Sequence, residues 1–516
     1  MRRRLAVVSI FDKRGVDEFA RKLMQSGFEI VSSGGTYRFL REKGVETTEV
    51  SSLTGFPEMF DGRVKTLHPV IHAGILARRD FEGDIKTLDE HDISPIDVVV
   101  CNLYPFEDTI SKKDVSLEEV VENIDIGGPT LVRSAAKNFE YVTVVVNPDK
   151  YEVVADEIEK NGAVSRETRV ALAVEAFEHV ARYDAVIANY LRKRLVGEKF
   201  PGNLTLAFEL IQKTRYGENP HQEGAVYRSV PAVDGASIIN SRKLQGKELS
   251  YNNILDADCA VDCVKEFMDP TAVIVKHATP CGIACADSVL KAWEDAYATD
   301  TYSPFGGVVA FNREVDSALS DVLSKFFLEV VVAPSFSDDS LEILGRKKNL
   351  RLLELPNLLS FKIGEELVYR SVGGGLLIQD KDVKEIISDG WRVVTKNKPS
   401  EDELKSMVFA VKCVRHVRSN AVVFVNGTKT VGIGGGQTAR VDASWIATHK
   451  GGERIKGSVM ASDAFFPFRD AVDVAAKAGV RAIVQPGGSI RDQEVIDAAN
   501  EYGIPMVFTG QRYFRH

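Results

Sequence analysis

The sequence predicts an α/β protein, with a doubly wound parallel-sheet domain at the amino terminus and further α/β layers after it. Three observations carry that prediction. β-branched apolar runs of strand length alternate with segments of helical periodicity along most of the chain. Glycine, asparagine and proline gather where those runs end, which is where open α/β sheets expose ligand-binding turns. The 516 residues are 44% hydrophobic and 27% charged, the balance of a globular chain with a sizeable core rather than of a disordered or fibrous one.

In chain order, residues 5–10 read as a buried strand. Val16, Phe19, Ala20, Leu23 and Met24 recur at helical spacing, and Gly27 closes that helix as a left-handed cap. Residues 28–32 form the next strand and 37–43 a second helical stretch, completing one βαβ unit. Strands follow at 97–101 and 141–146, with a helix over about 129–138 between them. A long helical pattern runs over 166–195, and 197–203 combines glycine, proline and asparagine without periodicity, so the first domain boundary belongs there. Apolar strands resume at 272–275, 308–311, 330–333, 421–425 and 483–485. A weaker break lies between Gly364 and Lys398, around Gly373-Gly374-Gly375, and divides the remainder into two similar layers, 203–375 and 376–516.

Composition narrows the function. Sixty-five basic against 74 acidic side chains give a net charge of -9, which opposes a nonspecific grip on nucleic acid and confines any anion site to a local cluster. No run of 18 apolar residues exists to span a bilayer, and Met1-Arg2-Arg3-Arg4 leads into too few apolar residues for a signal sequence. A cytoplasmic location is expected. Six cysteines are too sparse for a disulfide scaffold.

Ser33-Gly34-Gly35-Thr36 sits at a strand-to-helix turn, where glycines let backbone amides approach an anion and two hydroxyls donate to it. Phosphate suits that chemistry. Neither GxGxxG nor P-loop spacing occurs there, which counts against nicotinamide and ATP chemistry. Gly62-Arg63-Val64-Lys65-Thr66-Leu67-His68-Pro69 carries two cations on alternate residues, hence on one face if extended. Asn102-Leu103-Tyr104-Pro105-Phe106 follows a strand, and Ile124-Asp125-Ile126-Gly127-Gly128-Pro129 repeats that logic. Together Lys65, Tyr104, Asp125 and Lys137 supply cations, a phenol and a carboxylate able to stabilise an oxyanion and move protons.

Two metal readings compete with blander ones. His68 and His72 have helical metal-pair spacing, but Pro69 intervenes and the HExxH glutamate is missing. Cys259, Cys263, Cys281 and Cys285 superficially resemble a four-thiolate zinc site. The first pair, however, shares a predicted helix face with Leu255 and Phe267 and reads as small core residues. Lys276-His277 follows a strand. His277-Ala278-Thr279 lacks the H-x-E of zinc deaminases, and Cys281 to Cys285 is one residue too long for their P-C-x-x-C, so a related fold working without metal fits. Arg215, Tyr216 and His221 share one loop suited to a phosphorylated or planar ligand. The stretch from Ser462 to Asp470, with Phe465, Pro467 and Phe468, offers an apolar wall and a carboxylate to a heterocycle.

Together these motifs closely resemble the bifunctional purine biosynthesis family that joins aminoimidazole carboxamide ribonucleotide (AICAR) formyltransferase to inosine monophosphate (IMP) cyclohydrolase. The resemblance covers almost the whole chain. Its most specific carriers are SGGT, GRVKTLHP, CNLYPF, IDIGG, RYGENPHQ, KHATPCG, Arg418-Ser419-Asn420, SDAFFPFRD and Arg512-Tyr513-Phe514. It implies a methylglyoxal-synthase-like cyclohydrolase domain over 1–197 and a formyltransferase made of two cytidine-deaminase-like subdomains, 203–375 and 376–516.

The resemblance also implies residue roles. Formyl transfer falls on Lys276, His277 and Asn420: His277 takes a proton from the AICAR amine, Lys276 offsets charge on the tetrahedral adduct, and Asn420 orients or donates to the formyl oxygen. The AICAR site would comprise Arg215, Tyr216, His221, His277, Phe305, Gly306, Glu329, Asn420, Ser489, Arg512 and Phe514. Glu329 is an inexact match, since some members carry aspartate. Folate would meet Val441, Phe465, Pro467, Phe468 and Asp470. Ring closure falls on Lys65, Tyr104, Asp125 and Lys137, with Phe11, Asp12, Lys13, Ser33, Gly34, Gly35, Thr36, Arg63, Val64, Thr66, Cys101, Asn102 and Ile126 holding the nucleotide. The implied partners are AICAR, formyl-AICAR, the co-substrate 10-formyltetrahydrofolate and a second copy of the chain sharing the formyltransferase sites. No metal, bound cofactor, nucleic acid or membrane is implied. A zinc-dependent nucleotide deaminase would instead hold zinc and release ammonia, and a noncatalytic nucleotide-binding protein would bind without turnover.

Overall fold

Parallel strands that are buried on both faces lose the alternation of a half-exposed strand, and the first sheet shows why the early runs are so uniformly apolar. The computed structural model describes residues 3–233, 235–359 and 367–516. The chain forms two units, Met1–Glu209 with Arg228–Val233, and Leu210–Tyr227 with Asp234–His516.

In the first unit β1 (Arg4–Ser9), β2 (Phe28–Ser32), β3 (Thr48–Glu49), β4 (Ile96–Cys101) and β5 (Thr143–Val145) make one parallel sheet in the order β3-β2-β1-β4-β5. Leu5, Ala6, Val7 and Val8 are buried, as are Val98, Val99 and Val100. Helix Val16–Gln25 buries Val16, Phe19, Ala20 and Leu23 on one stripe, and the chain leaves it through Gly27 at φ +84°, a conformation that suits glycine. Each large side chain sealed this way contributes about 1.5–3 kcal/mol relative to exposure.

Three expected elements shift. The helix expected over 129–138 spans Gly127–Lys137, because both glycines join its first turn. The strand expected over 141–146 shrinks to Thr143–Val145, since Tyr141 and Val142 donate to Asn138 O in a turn. The long helix is Arg166–Leu191, extended by a π turn over Arg192–Val196. Residues 197–203 hold no helix or strand, and the chain continues into a hairpin of β6 (Phe208–Thr214) and β7 (Gly224–Ser229).

The second unit centres on a 12-stranded sheet. Its strands are β8 (Arg242–Gln245), β9 (Thr271–Lys276), β10 (Thr279–Cys285), β11 (Gly307–Phe311), β12 (Leu328–Ala333) and β13 (Arg351–Glu354). After a separate hairpin of β14 (Leu367–Val372) and β15 (Gly375–Asp380), the sheet resumes with β16 (Arg392–Val393), β17 (Val422–Asn426), β18 (Lys429–Gly434), β19 (Val459–Ser462), β20 (Ala482–Gln485) and β21 (Met506–Phe508). Their order is β16-β21-β20-β19-β17-β18-β10-β9-β11-β12-β13-β8.

The two halves of this sheet repeat one succession of elements. Helix Tyr251–Val264 precedes the β9–β10 hairpin as helix Glu401–Val414 precedes the β17–β18 hairpin, and each helix opens with a capping box, Ser250 with Asn253 and Ser400 with Glu403. A helix and three parallel strands with intervening helices follow in both. The halves join where Ala284 of β10 pairs Lys429 of β18. The repeat is one of element order within a single sheet. Gly364, at the start of the weaker break, lies outside the described residues, as do Met1 and Arg2. Among the described residues no helix is long and apolar enough to cross a membrane.

Candidate functional site

In the first unit strand order reverses between β1 and β4, so a crevice opens at their carboxyl ends. It widens into a pocket of about 730 Å³, the size of a nucleotide site. Phe11 and Lys13 leave β1, Ser33, Gly35 and Thr36 leave β2, Asn102 and Tyr104 leave β4, and loops add Arg63, Lys65, Thr66, Asp125 and Ile126 to its wall. Helix Gly34–Glu42 points its amino end here with no side chain capping it, leaving N–H groups for an anion.

Much of the polar wall is scaffold. Asn102 brackets the crevice: Oδ1 accepts the Phe11 and Asp12 N–H groups at 2.6 and 2.9 Å, and Nδ2 donates to Asp12 O at 3.2 Å. Of the two hydroxyls expected to face an anion, that of Thr36 is buried and committed, accepting from Ile10 N at 3.1 Å and donating to Ile10 O at 2.8 Å. Arg63 pairs with Glu122, Nε to Oε1 at 3.2 Å. Lys65 packs so near Gly62, at φ +93°, that a Cβ there would lie 2.9 Å from Nζ.

Asp125 caps helix Gly127–Lys137. Its Oδ1 accepts from Gly128 N at 2.9 Å, and a Cβ on Gly128 would fall 2.4 Å from Oδ2, so only glycine allows this approach. The Asp125 N–H donates to Tyr183 Oη at 2.8 Å, and that hydroxyl donates to Asn123 O at 3.3 Å. Burial pushes the Asp125 carboxyl above its ordinary pKa, against the pull of the Gly128 and Tyr104 N–H groups and the Lys65 charge. Burial also raises the Tyr104 phenol, with Asp125 adding to the effect, and lowers the Lys13 ammonium. Cys101, the buried last residue of β4, has its thiol pKa pushed up by burial.

In the second unit the register brings distant motifs to one sheet edge. The carboxyl end of β9 (Lys276) lies beside the amino ends of β11 and β12, and the amino end of β17 lies beside the carboxyl ends of β18 and β19, with those of β20 and β21 beyond. One cluster follows from the first half. Lys276 Nζ donates to Phe305 O, Gly306 N donates to Phe327 O at 2.8 Å, and the Phe305 and Phe327 rings stand 5.0 Å apart. Glu329 pairs with buried Arg351. The Arg215–His221 loop closes through Gly217 N to Gln222 O at 2.6 Å, and Asn252 of helix Tyr251–Val264 donates to Glu218 O at 3.2 Å.

A second cluster follows from the other half. Arg440 Nη2 donates to Asn420 Oδ1 at 2.7 Å and to fully buried Asp463 at 2.8 Å. Asn420 Nδ2 donates to Gln437 O and Thr438 O at 2.9 and 3.0 Å. Ser419 donates its hydroxyl to Asp463 at 2.6 Å, and Tyr513 N donates to Asp463 O at 2.8 Å, which ties the Arg512–Phe514 segment to this cluster. Phe466 is buried while Phe465 and Phe468 face outward, with Val441 and Asp470 each near the start of a helix. Ser489 Oγ accepts from Arg491 N at 3.1 Å.

Lys137 is the exposed last residue of helix Gly127–Lys137, about 15 Å along the axis from the end that lines the pocket. Asp12, Gly34, Val64 and Cys101 flank the lining rather than form it. A smaller cavity of about 290 Å³ lies at the amino ends of the same strands. There Arg169 spends its donors on Phe139, Glu140 and Val164 carbonyls, as a structural clamp does.

His68 Nδ1 accepts from Val70 N at 3.3 Å, and His72 Nδ1 meets Ser134 Oγ at 3.0 Å. Cys259 and Cys263 are core, as expected, but Leu255 is 39% exposed and Phe267 lies beyond the end of that helix, so the shared face was misread. Sequence reading missed Tyr183, Asp256, Arg351, Arg440 and Asp463. Only Asp463 carried a signal, its place inside SDAFFPFRD.

Residues 135–450 match the family described as AICARFT/IMPCHase bienzyme, and residues 15–130 match the MGS-like domain. The protein named Bifunctional purine biosynthesis protein PurH in Caldicellulosiruptor bescii is 51% identical over 99% of both chains. That of Anoxybacillus flavithermus is 51% identical over 100% of both, and that of Persephonella marina 51% identical over 99% of this chain and 100% of its own. An MGS-like unit with a nucleotide-sized pocket and an α/β unit of repeated element order are those of a bifunctional enzyme. The chain belongs to the AICARFT/IMPCHase bienzyme family, and it is a bifunctional AICAR formyltransferase and IMP cyclohydrolase of purine biosynthesis.

Proposed function

We propose that the pocket of the first unit closes the purine ring and that the sheet edge of the second unit transfers the formyl group from 10-formyltetrahydrofolate to AICAR. The observation that supports this reading is the placement of Lys276, Phe305, Gly306, Glu329, Asn420 and the Phe465–Asp470 segment, in two clusters, along one edge of the sheet. Formyl transfer joins the AICAR amino nitrogen to the formyl carbon and breaks that carbon's bond to folate N10. His277 accepts the amine proton, N10 is protonated as tetrahydrofolate leaves, and Lys276 offsets the oxyanion of the adduct. One Lys276 hydrogen is held by Phe305 O, which leaves two for the oxyanion. Asn420 commits both amide hydrogens to carbonyls, so its part is orientation rather than donation.

In ring closure the carboxamide nitrogen attacks the formyl carbon of the same molecule, and the former formyl oxygen leaves as water. Asp125 accepts the carboxamide nitrogen's proton, Lys65 and Tyr104 stabilise and protonate the departing oxygen, and the formamide nitrogen gives up its own proton as the ring C=N bond forms. Holding both ends of one molecule supplies much of the rate. Along the edge, β9 and β17 are three strand spacings apart, about 14 Å, and β9 and β20 about 24 Å. That separation of the two clusters supports a homodimer in which a second copy completes each formyltransferase site.

Supplied with AICAR and 10-formyltetrahydrofolate, the protein should release one tetrahydrofolate and one IMP per AICAR. With Lys65→Ala, tetrahydrofolate release should persist while formyl-AICAR accumulates. Accumulation of no formylated nucleotide would remove Lys65 and its pocket from ring closure.

A further inference from the structure

The turn that carries His277 is held in a conformation its own residues disfavour. β9 and β10 form a hairpin whose two-residue loop is His277-Ala278, flanked by the pair Lys276–Thr279. Such tight loops need positive φ at both central residues, and asparagine and glycine are the usual occupants. Here neither is present, yet His277 lies at φ +53° and Ala278 at φ +52°. A Cβ at positive φ crowds its own carbonyl, so this pair persists only where the surroundings impose it.

The imposing group is Asp256. Its Oδ1 accepts the Ala278 N–H at 2.6 Å, a short bond to a carboxylate and hence among the stronger kinds. Asp256 stands in the second turn of helix Tyr251–Val264, which the Ser250–Asn253 capping box fixes at its start. Asn252, four residues earlier and so on the same face, holds Glu218 O of the Arg215–His221 loop. Ala278 packs against the core while His277 is exposed, so the strained turn projects the imidazole outward from a fixed base.

We propose that Asp256 is a positioning residue for formyl transfer, acting by locking the positive-φ turn that aims His277 at the AICAR amine. This rests on His277 being the proton acceptor. The test uses the full chain and measures steady-state formyl transfer, with closure of supplied formyl-AICAR as the internal control. Asp256→Ala should lower kcat about tenfold or more, the worth of one bond to a charged acceptor, and change KM for AICAR little. Asp256→Asn, which keeps an acceptor, should lose less. Adding Ala278→Gly to Asp256→Ala should recover much of the rate, because glycine adopts the turn without help.

Unchanged kcat in Asp256→Ala would overturn the proposal, and so would a loss that glycine does not relieve, since a merely structural or substrate-touching role gives no such rescue. If Asp256→Ala does not fold, the same decision falls to Asp256→Asn with and without Ala278→Gly. His277→Ala separates the two claims. An inactive His277→Ala beside an unaffected Asp256→Ala sinks only the proposal, whereas an active His277→Ala sinks the reading of His277 itself.

Discussion

Asp125, proposed as the base of ring closure, sits behind two glycines, and its surroundings set how readily it would exchange a proton. Because burial raises its pKa, the folded chain holds that proton more tightly than the unfolded one. Its contribution to stability is therefore present below the unfolded pKa and is lost as pH rises through the folded value. Asp125→Asn should accordingly stabilise the fold more at pH 7 than at pH 4 in thermal unfolding, relative to the parent. The same variant should slow ring closure about 10²–10⁴-fold, the range of a lost acid–base group. In the parent, the acid limb of the closure profile should lie above the usual aspartate range. A limb at the ordinary aspartate value, or an unslowed Asp125→Asn, would exclude Asp125 as the base. Asp125 was legible because it precedes two glycines, although the element before it is helix Leu117–Glu122 and not the strand the sequence suggests. Tyr183 was not, since a tyrosine within a 26-residue helix looks like any other core residue until the fold turns it toward the Asp125 N–H.

At the scale of elements, helices Tyr251–Val264 and Glu401–Val414 are tied just past their carboxyl ends. Glu266 Oε1 accepts from Arg415 Nη1 at 2.8 Å and meets His416 Nε2 at 3.2 Å, while Lys412 Nζ donates to Glu266 O at 3.1 Å. Burial alone would raise the Glu266 carboxyl, but His416 and Arg415 outweigh it and hold its pKa at about 2. A depressed carboxylate stabilises the fold above its unfolded pKa and stops doing so as pH falls toward the folded one. Glu266→Gln should destabilise the fold near neutrality, by less than the about 3–5 kcal/mol of a fully broken buried pair, because Arg415 keeps a 3.5 Å pair with Asp382. Denaturant titration checks this, and the difference from the parent should shrink below about pH 4. An equal cost at both pH values would show that the charge is irrelevant. Strands such as β9, β11 and β12 were legible from their β-branched runs, and the first of these helices from the Cys259–Cys263 spacing, whereas helix Glu401–Val414 was not singled out. The two-residue β9–β10 turn was not, because His-Ala carries none of the asparagine or glycine that announces such turns.

For the molecule as a whole, the sequence suggested two similar layers but not the order of elements they repeat, because the two halves share hydrophobic pattern but no residue period, and strand register becomes visible only when the pairs are seen. The same register sets the two clusters proposed for formyl transfer apart along one edge. If two copies share each site, His277→Ala mixed with Asn420→Ala after subunit exchange should regain about one quarter of parent activity, because half the dimers are mixed and each keeps one intact site. No regain would mean that each chain builds its own site. The central claim, two chemically independent centres on one chain, is tested most directly by His277→Ala given each substrate in turn. The account predicts no tetrahydrofolate from AICAR and 10-formyltetrahydrofolate, together with IMP formation from supplied formyl-AICAR at the parent rate. Loss of both reactions in a folded protein would contradict it.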